Sequence, residues 1–361
     1  MRPSAIAREV RRDIVSGATR AASTWIVFTA LLLVLVLHES LTLTGILRAA
    51  EAYQTAGANI RLVVADGRVD GAACAALADE YGVASAALRV LNEPARAEVM
   101  RAAPLNQVTA TPGIGEMLDA TGTGGGPVDR AGVLVSEQVT EHLGSPDRPW
   151  PSDAGPLDVA GVFPYPEDGR RTGLGFAVIS PELPGEEPYD ECWIRSWPEY
   201  PDFGSLLSSV VLPATSPDTP APEITQLNTS LGAGFDGAAL FRDRASRFNA
   251  YAALGIGAVV GVVAARRRRL EIASARHAGA SPGDVLLIHT LQHASWIAAG
   301  CAVAFSAGAL SSAAAPGAVG TLTELTLRTV SLGGVGALLG VVVTVCAIPE
   351  RSLFDYFKQR E

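Results

Sequence analysis

NAYAALGIGAVVGVVAARRRR, residues 249–269, decides how the rest of the chain is read. Seventeen uncharged residues, 249–265, run into Arg266, Arg267, Arg268 and Arg269. An apolar run approaching about 18 residues reads as a membrane-spanning helix. Arginines packed against its end anchor that end on the cytoplasmic side. Three further runs have the same character: 21–46, 285–312 and 329–349. The first is interrupted near its outer end by His38 and Glu39, and the third carries only His289 and His293. Four spans in 361 residues agree with 48% hydrophobic and 18% charged residues. The basic start of the first run would suit a secretory signal. Its apolar core is too long and no small-residue cleavage site follows, so it reads as a retained anchor.

The arginines also set the topology. Arg2, Arg8, Arg11, Arg12 and Arg20 precede the first run, Arg276 joins the four arginines after the second, and Arg351, Lys358 and Arg360 close the chain. The connection between the third and fourth runs holds only Arg328. Both ends and residues 266–284 are therefore expected inside, and 47–248 outside. The outer part carries 14 basic and 28 acidic residues, a net of −14; the remainder carries 14 and 9, a net of +5. A chain of net charge −9 lacks the basic footprint of a nucleic-acid binder. Membrane lipid is the expected surrounding.

The outer part mixes element types. Residues 60–65, 84–91, 132–135, 157–163, 173–179 and 192–196 read as strands and 70–81 as a helix. Ser136 reads as the cap of a helix ending at Gly144. A mixed α+β domain in two lobes follows. Fifteen of the 23 prolines fall between 146 and 222, which excludes much helix there. From 218 to 248 the apolar spacing turns helical again, predicting a helix that runs on into the second span. Cys74 and Cys192 both lie outside, where disulfides form, and sequence leaves a bridge or two free thiols equally open. Cys301 and Cys346 lie in the spans.

Candidate chemistry is sparse. No GxxxxGK[ST] loop occurs, and 122–126 lacks the Lys-Ser/Thr that a phosphate loop needs. His289 and His293 stand four apart without the glutamate of HExxH, so a metal site is not expected. With no GxSxG in 47–248 and one histidine there, His142, an outer hydrolase is disfavoured. Gly257/Gly261 and Gly336/Gly340 are spaced for close helix packing, within the chain or at a dimer seam; four helices must first pack on each other, which favours the former.

The stretch 265–294, ARRRRLEIASARHAGASPGDVLLIHTLQHA, carries more specific information. Ile272, Ala275 and Gly279 share a helical face; Gly279 suits a left-handed turn and Ser281 the cap of the next helix. By composition alone the arginines serve topology. The stretch resembles the cytoplasmic loop of FtsX-like permeases of the MacB-type ABC transporters, with a basic cluster, Glu271-Ile272, Arg276 and Gly279-Ala280-Ser281 at matching positions. His277-Ala278 and Pro282-Gly283 depart from that pattern. AGANIRLVV and AGVLVSEQVTEHLG followed by LDVAGVFP look like parts of the family's outer domain.

The resemblance implies a membrane protein with four transmembrane α-helices and a mixed α+β extracytoplasmic domain inserted between helices 1 and 2. Its expected parts are a cytoplasmic segment 1–20, a first span 21–46, an outer domain 47–248, a second span 249–265 and a coupling loop 266–284. A third span 285–312, a short external loop 313–328, a fourth span 329–349 and a cytoplasmic tail 350–361 complete it. The chain would be a non-catalytic permease subunit, with ATP and Mg bound by a separate ABC-type ATPase and none in this chain. That ATPase would dock on Glu271, Ile272, Arg276, Gly279, Ala280 and Ser281. A homo- or heterodimer of permease units and an extracytoplasmic protein partner are further implications. The output would be export, lipoprotein or peptide handling, or mechanotransmission. The rival from another class is a stand-alone sensor or structural membrane protein with an outer ligand-binding domain.

Overall fold

The computed structural model describes residues 12, 21–96, 104–123, 125–144, 149–153 and 155–349. Apart from Arg12, the expected N-terminal segment and C-terminal tail, with their arginines, lie outside the described residues. The chain forms two compact units, 50–235 and the remainder.

The first unit is built on one nine-stranded mixed sheet. Its strands are β1 (Ile60–Val69), β2 (Ala84–Val90), β3 (Asn106–Ala110), β4 (Thr121–Gly122), β5 (Val133–Ser136), β6 (Val159–Phe163), β7 (Ala177–Pro181), β8 (Tyr189–Arg195) and β9 (Glu223–Gln226). Their spatial order is β4-β6-β5-β7-β3-β2-β8-β1-β9. β8 lies antiparallel between β1 and β2, with Cys192 opposite both Val63 and Ala87. The parallel pairing of β3 with β7, from Asn106↔Ala177 to Ala110↔Pro181, joins the two halves.

Alternation along the strands divides the core. Leu62, Ala86, Leu134, Ile179 and Trp193 face one side, in a cluster that extends across both halves. Their neighbours Val63, Ala87 and Cys192 pack on the other side with Cys74, Leu77 and Leu207. Val135 and Val178 form a separate patch there with Val139, Trp150 and Val159. The two expected lobes are thus two covered patches on one face of a single sheet. β3 escapes sequence reading because NQVTA has no strong apolar alternation, and β3 is the strand that makes the sheet continuous.

Local chemistry fixes the helices of this unit. In α1 of the sheet domain, Gly71–Tyr81, the Asp70 carboxylate accepts from the Ala73 N–H at 2.9 Å. Gly82, at φ +64°, ends it in the left-handed conformation that glycine adopts without penalty. α2 (Ile114–Met117) is one turn. α3 (Glu137–Leu143) starts after Ser136, but the Ser136 hydroxyl donates to Gly175 O at 2.9 Å and does not cap the helix. α4 (Phe203–Ser209) is a short helix within the proline-rich stretch. Cys74 and Cys192 are joined by a disulfide between α1 and β8, with Cα atoms 6.0 Å apart.

The expected helix over 218–248 does not form. Residues 223–226 are recruited as β9, pairing with β1 at Arg61↔Gln226. Tertiary pairing overrides a spacing that was helical by coincidence. A short helix, α5 (Gly237–Asp243), is capped by Asp236, and Arg244, at φ −58° and ψ 135°, breaks it from the 3-10 turn Ala245–Phe248.

Among the described residues the second unit holds four helices long and apolar enough to cross a membrane. α6 spans Ala21–Thr55, running on into the sheet unit's residues, and α7 spans Asn249–Arg266. A short helix, α8 (Arg269–His277), precedes α9 (Pro282–Ser312) and α10 (Val319–Ala347). α9 begins before residue 285 because proline at its first turn lacks only an N–H that would be unpaired there. α10 begins before residue 329, so much of the expected external loop 313–328 is helical; Glu324 and Arg328 interrupt the apolar run, not the helix.

α7 and α10 meet backbone to backbone. A Cβ added at Gly257 would lie 2.2 Å from Gly333 O, and one at Gly261 2.1 Å from Ala337 O. From the other side, a Cβ at Gly336 would lie 2.1 Å from Leu254 O and one at Gly340 2.2 Å from Ala258 O. The two glycine pairs therefore face each other within the chain.

Candidate coupling surface

The stretch that follows α7 folds into a clasped turn. Arg268 is 7% exposed despite its charge. Its Nε donates to Glu271 Oε2 at 2.8 Å, and its Nη atoms reach Glu271 Oε1 and Gln292 Oε1. A buried guanidinium is tolerated only when paired and hydrogen-bonded, and here a carboxylate and an amide do this. α8 then carries Glu271 in its first turn and Arg276 and His277 in its last, the arrangement that complements a helix dipole.

Its apolar face turns inward. Ile272 and Ala273 are fully buried against Ala265, Val285, Val341, Val345 and Ile348. Arg276 donates to Ile348 O at 2.5 Å and to Val345 O at 2.9 Å. These are carbonyls at the end of α10 that have no partner within that helix.

The exit from α8 is a Schellman motif. Ala280 N–H bonds to Ala275 O at 3.1 Å and Gly279 N–H to Arg276 O at 3.0 Å, with Gly279 at φ +86°. The Ser281 hydroxyl accepts from the Asp284 N–H at 3.1 Å and starts α9.

This placement corrects the sequence reading in part. Ile272 and Arg276 face this chain's own helices, because α8 closes the gap between α7, α9 and α10 and its apolar side is used there. Glu271, Gly279 and Ser281 stay exposed and Ala280 partly so. Ser274, His277 and Ala278, which the sequence reading passed over, share the exposed side with them. Of the four arginines, Arg266 and Arg267 are exposed, while Arg268 is a structural clasp. Gln292, a lone amide in an apolar run, was the signal that could have revealed the clasp.

Two other polar sites lie among the long helices. Glu39 and Arg244 are both buried, with Arg244 Nε donating to Glu39 Oε1 at 2.9 Å. Asn249 Nδ2 donates to Leu35 O at 2.9 Å, and its Oδ1 lies 3.3 Å from His38 Nδ1. Glu39 is thus held by the segment that enters α7. His289 and His293 are buried, with His293 Nδ1 2.7 Å from His289 O. Among the described residues no group of three or more metal-ligating side chains occurs.

No family model and no curated protein matches the sequence. Several solved structures show likeness in shape, among them the following two. One is the periplasmic region of MacB from Actinobacillus actinomycetemcomitans, 9% identical, with 45% of this chain and 84% of that chain covered at a TM-score of 0.30. The other is a domain of a putative permease protein from Porphyromonas gingivalis, 14% identical, with 48% and 92% covered at a TM-score of 0.33. Likeness at this level assigns no activity.

Proposed function

We propose that this chain is the membrane subunit of an ABC-type complex, moved by a separate ATPase that docks on α8 and the turn after it. The observation that carries the reading is the build of α8. It is clasped to α9 through Arg268 and Gln292 and tied to the end of α10 through Arg276. Its other side, with Ser274, His277, Ala278 and Gly279, is left exposed. A push on that side reaches three long helices together, as a transmission element requires. The basic cluster supports a cytoplasmic position for this surface, where ATP is available, and an outer one for the sheet domain. The loop's resemblance to FtsX-like permeases points the same way. On this reading the chain does no chemistry, and two such subunits, alike or different, work as a pair.

The test uses the full chain, co-expressed with each ABC-type ATPase of its source cell. Wild type should retain one ATPase through purification and stimulate its hydrolysis. Ala278→Trp and Ser274→Trp add bulk on the exposed side alone and should lower retention and stimulation at least about tenfold, as bulk at the centre of an interface does. If both behave as wild type, α8 is only a topology anchor. If wild type retains none, the stand-alone sensor takes its place.

A further inference from the structure

The sheet domain contains a two-part cleft that the coupling reading does not use. Its outer part, of about 690 Å³, lies between α3 and residues 165–176, with Gln138, His142, Tyr165, Glu167 and Arg170 on its walls. Its inner part, of about 170 Å³, is walled by Leu88, Val90, Val108, Leu174 and Trp193. Asn106, Tyr165 and Arg171 belong to both.

The junction is built from satisfied polar groups. Arg171 makes a two-point pair with Glu191, at 3.1 and 3.0 Å, and Trp193 Nε1 donates to Glu191 Oε2 at 2.7 Å. Asn106 Nδ2 donates to Gly173 O at 2.8 Å, and the Tyr165 hydroxyl to Arg171 O at 2.6 Å. Two buried atoms make no hydrogen bond: Arg170 Nε, which lies 3.3 Å from Asp168 Oδ1, and one on Gln138. Gln138 Nε2 donates to Tyr165 O at 2.7 Å, while its buried Oε1 has no protein partner.

We propose that the cleft binds a peptide segment by one bulky apolar side chain, which enters the inner pocket while the adjoining amides lie in the outer part. Size selects the side chain. A cavity of about 150 Å³ walled by apolar side chains holds a benzene ring, so the inner part takes a phenyl or isobutyl group and is too small for a long acyl chain. Charge argues against a phosphate or lipid headgroup, since Arg170 is paired with Asp168 at 3.3 Å and Arg171 with Glu191. Peptide amides bring both donors and acceptors, which suit an outer part lined by the Glu167 carboxylate and the Thr172 hydroxyl. This inference stands apart from the ATPase reading, and either can fail without the other.

The test is calorimetric titration of the detergent-solubilised full chain with three capped tripeptides: acetyl-Gly-Phe-Gly-amide, acetyl-Gly-Leu-Gly-amide and acetyl-Gly-Gly-Gly-amide. The first two should bind saturably, and the third at least about tenfold more weakly. Val90 is 56% exposed at the pocket wall, so Val90→Trp should block the pocket and cut affinity about tenfold without lowering the melting temperature. Thr172→Trp, at an exposed position that lines both parts of the cleft, should cut affinity about tenfold as well and does not depend on how Val90→Trp folds. The proposal is overturned if neither apolar tripeptide saturates, if the all-glycine peptide binds as well, or if both variants bind like wild type. Octanoate that competes as strongly as the phenylalanine peptide would replace the peptide with an acyl ligand.

Discussion

The sheet domain and the helical unit hold themselves together by opposite means. The sheet domain buries Leu62, Phe163, Ile179 and Trp193 in its largest cluster and adds a disulfide across the other face. The helical unit removes side chains from its tightest seam, so that Gly257, Gly261, Gly336 and Gly340 set backbone against backbone. The solvent explains the contrast. In water, apolar area leaving solvent drives packing. In lipid that drive vanishes between helices, and close contact of small residues takes its place. The same substitution, large for small, should therefore be ruinous within that seam and ordinary on a helix face outside it.

The largest expected effect comes from Gly336→Leu. Its Cβ would fall on Leu254 O, and neither backbone can yield. The cost should exceed about 4 kcal/mol, the range reserved for gross misfits. Recovery of monodisperse protein in detergent should collapse, while Gly255→Leu, with nothing within 4 Å, should purify like wild type. Equal recovery of both would break the contrast.

Next comes the buried pair. Glu39→Ala leaves the Arg244 guanidinium buried without its carboxylate and should cost about 3–5 kcal/mol. The double change Glu39→Ala with Arg244→Met should recover most of it. Thermal unfolding in detergent reads both, and a double variant no better than the single would show that the pair is not the source.

In the sheet domain, Cys74→Ser with Cys192→Ser should cost about 2–5 kcal/mol, since the bridge closes a long loop in the unfolded chain; the two cysteines stand 118 residues apart in sequence. Protease susceptibility should rise within 50–235 and stay unchanged in 249–349. Unfolding of both regions together would refute their independence.

The smallest effect is a pH slope. Burial pushes the Tyr165 phenol up to about 12, against the pull of Arg170 and Arg171. The folded value lies above the unfolded one, so this contribution is complete below pH 10 and is lost as pH rises from 10 to 12, by about 2–3 kcal/mol in all. Tyr165→Phe should flatten that part of the sheet domain's stability profile. An unchanged slope would remove Tyr165 as its cause.

What sequence could reveal follows the same division. Uncharged runs find helices in lipid because composition alone is decisive there, and α7 is found almost to the residue. In the sheet domain, β1 and β2 are legible from alternation, while β3 and β9 are not, because their places depend on partners far away in sequence. In the turn after α8, the left-handed Gly279 and the Ser281 cap follow from local chemistry and are present. The inward facing of Ile272 and Arg276 was illegible, since a pattern of apolar and charged positions does not say whether the groove belongs to this chain or to a partner.

The Arg268 clasp adds an order in time. While the chain is being inserted, all four arginines at the end of α7 and just beyond it are hydrated and can hold that end in place. Gln292 is 24 residues further on, so Arg268 cannot be buried until α9 has been made and has packed. One residue thus serves first as a signpost and later as a bolt. Arg268→Leu would keep three of the four arginines, and with them the signpost, and would lose the bolt.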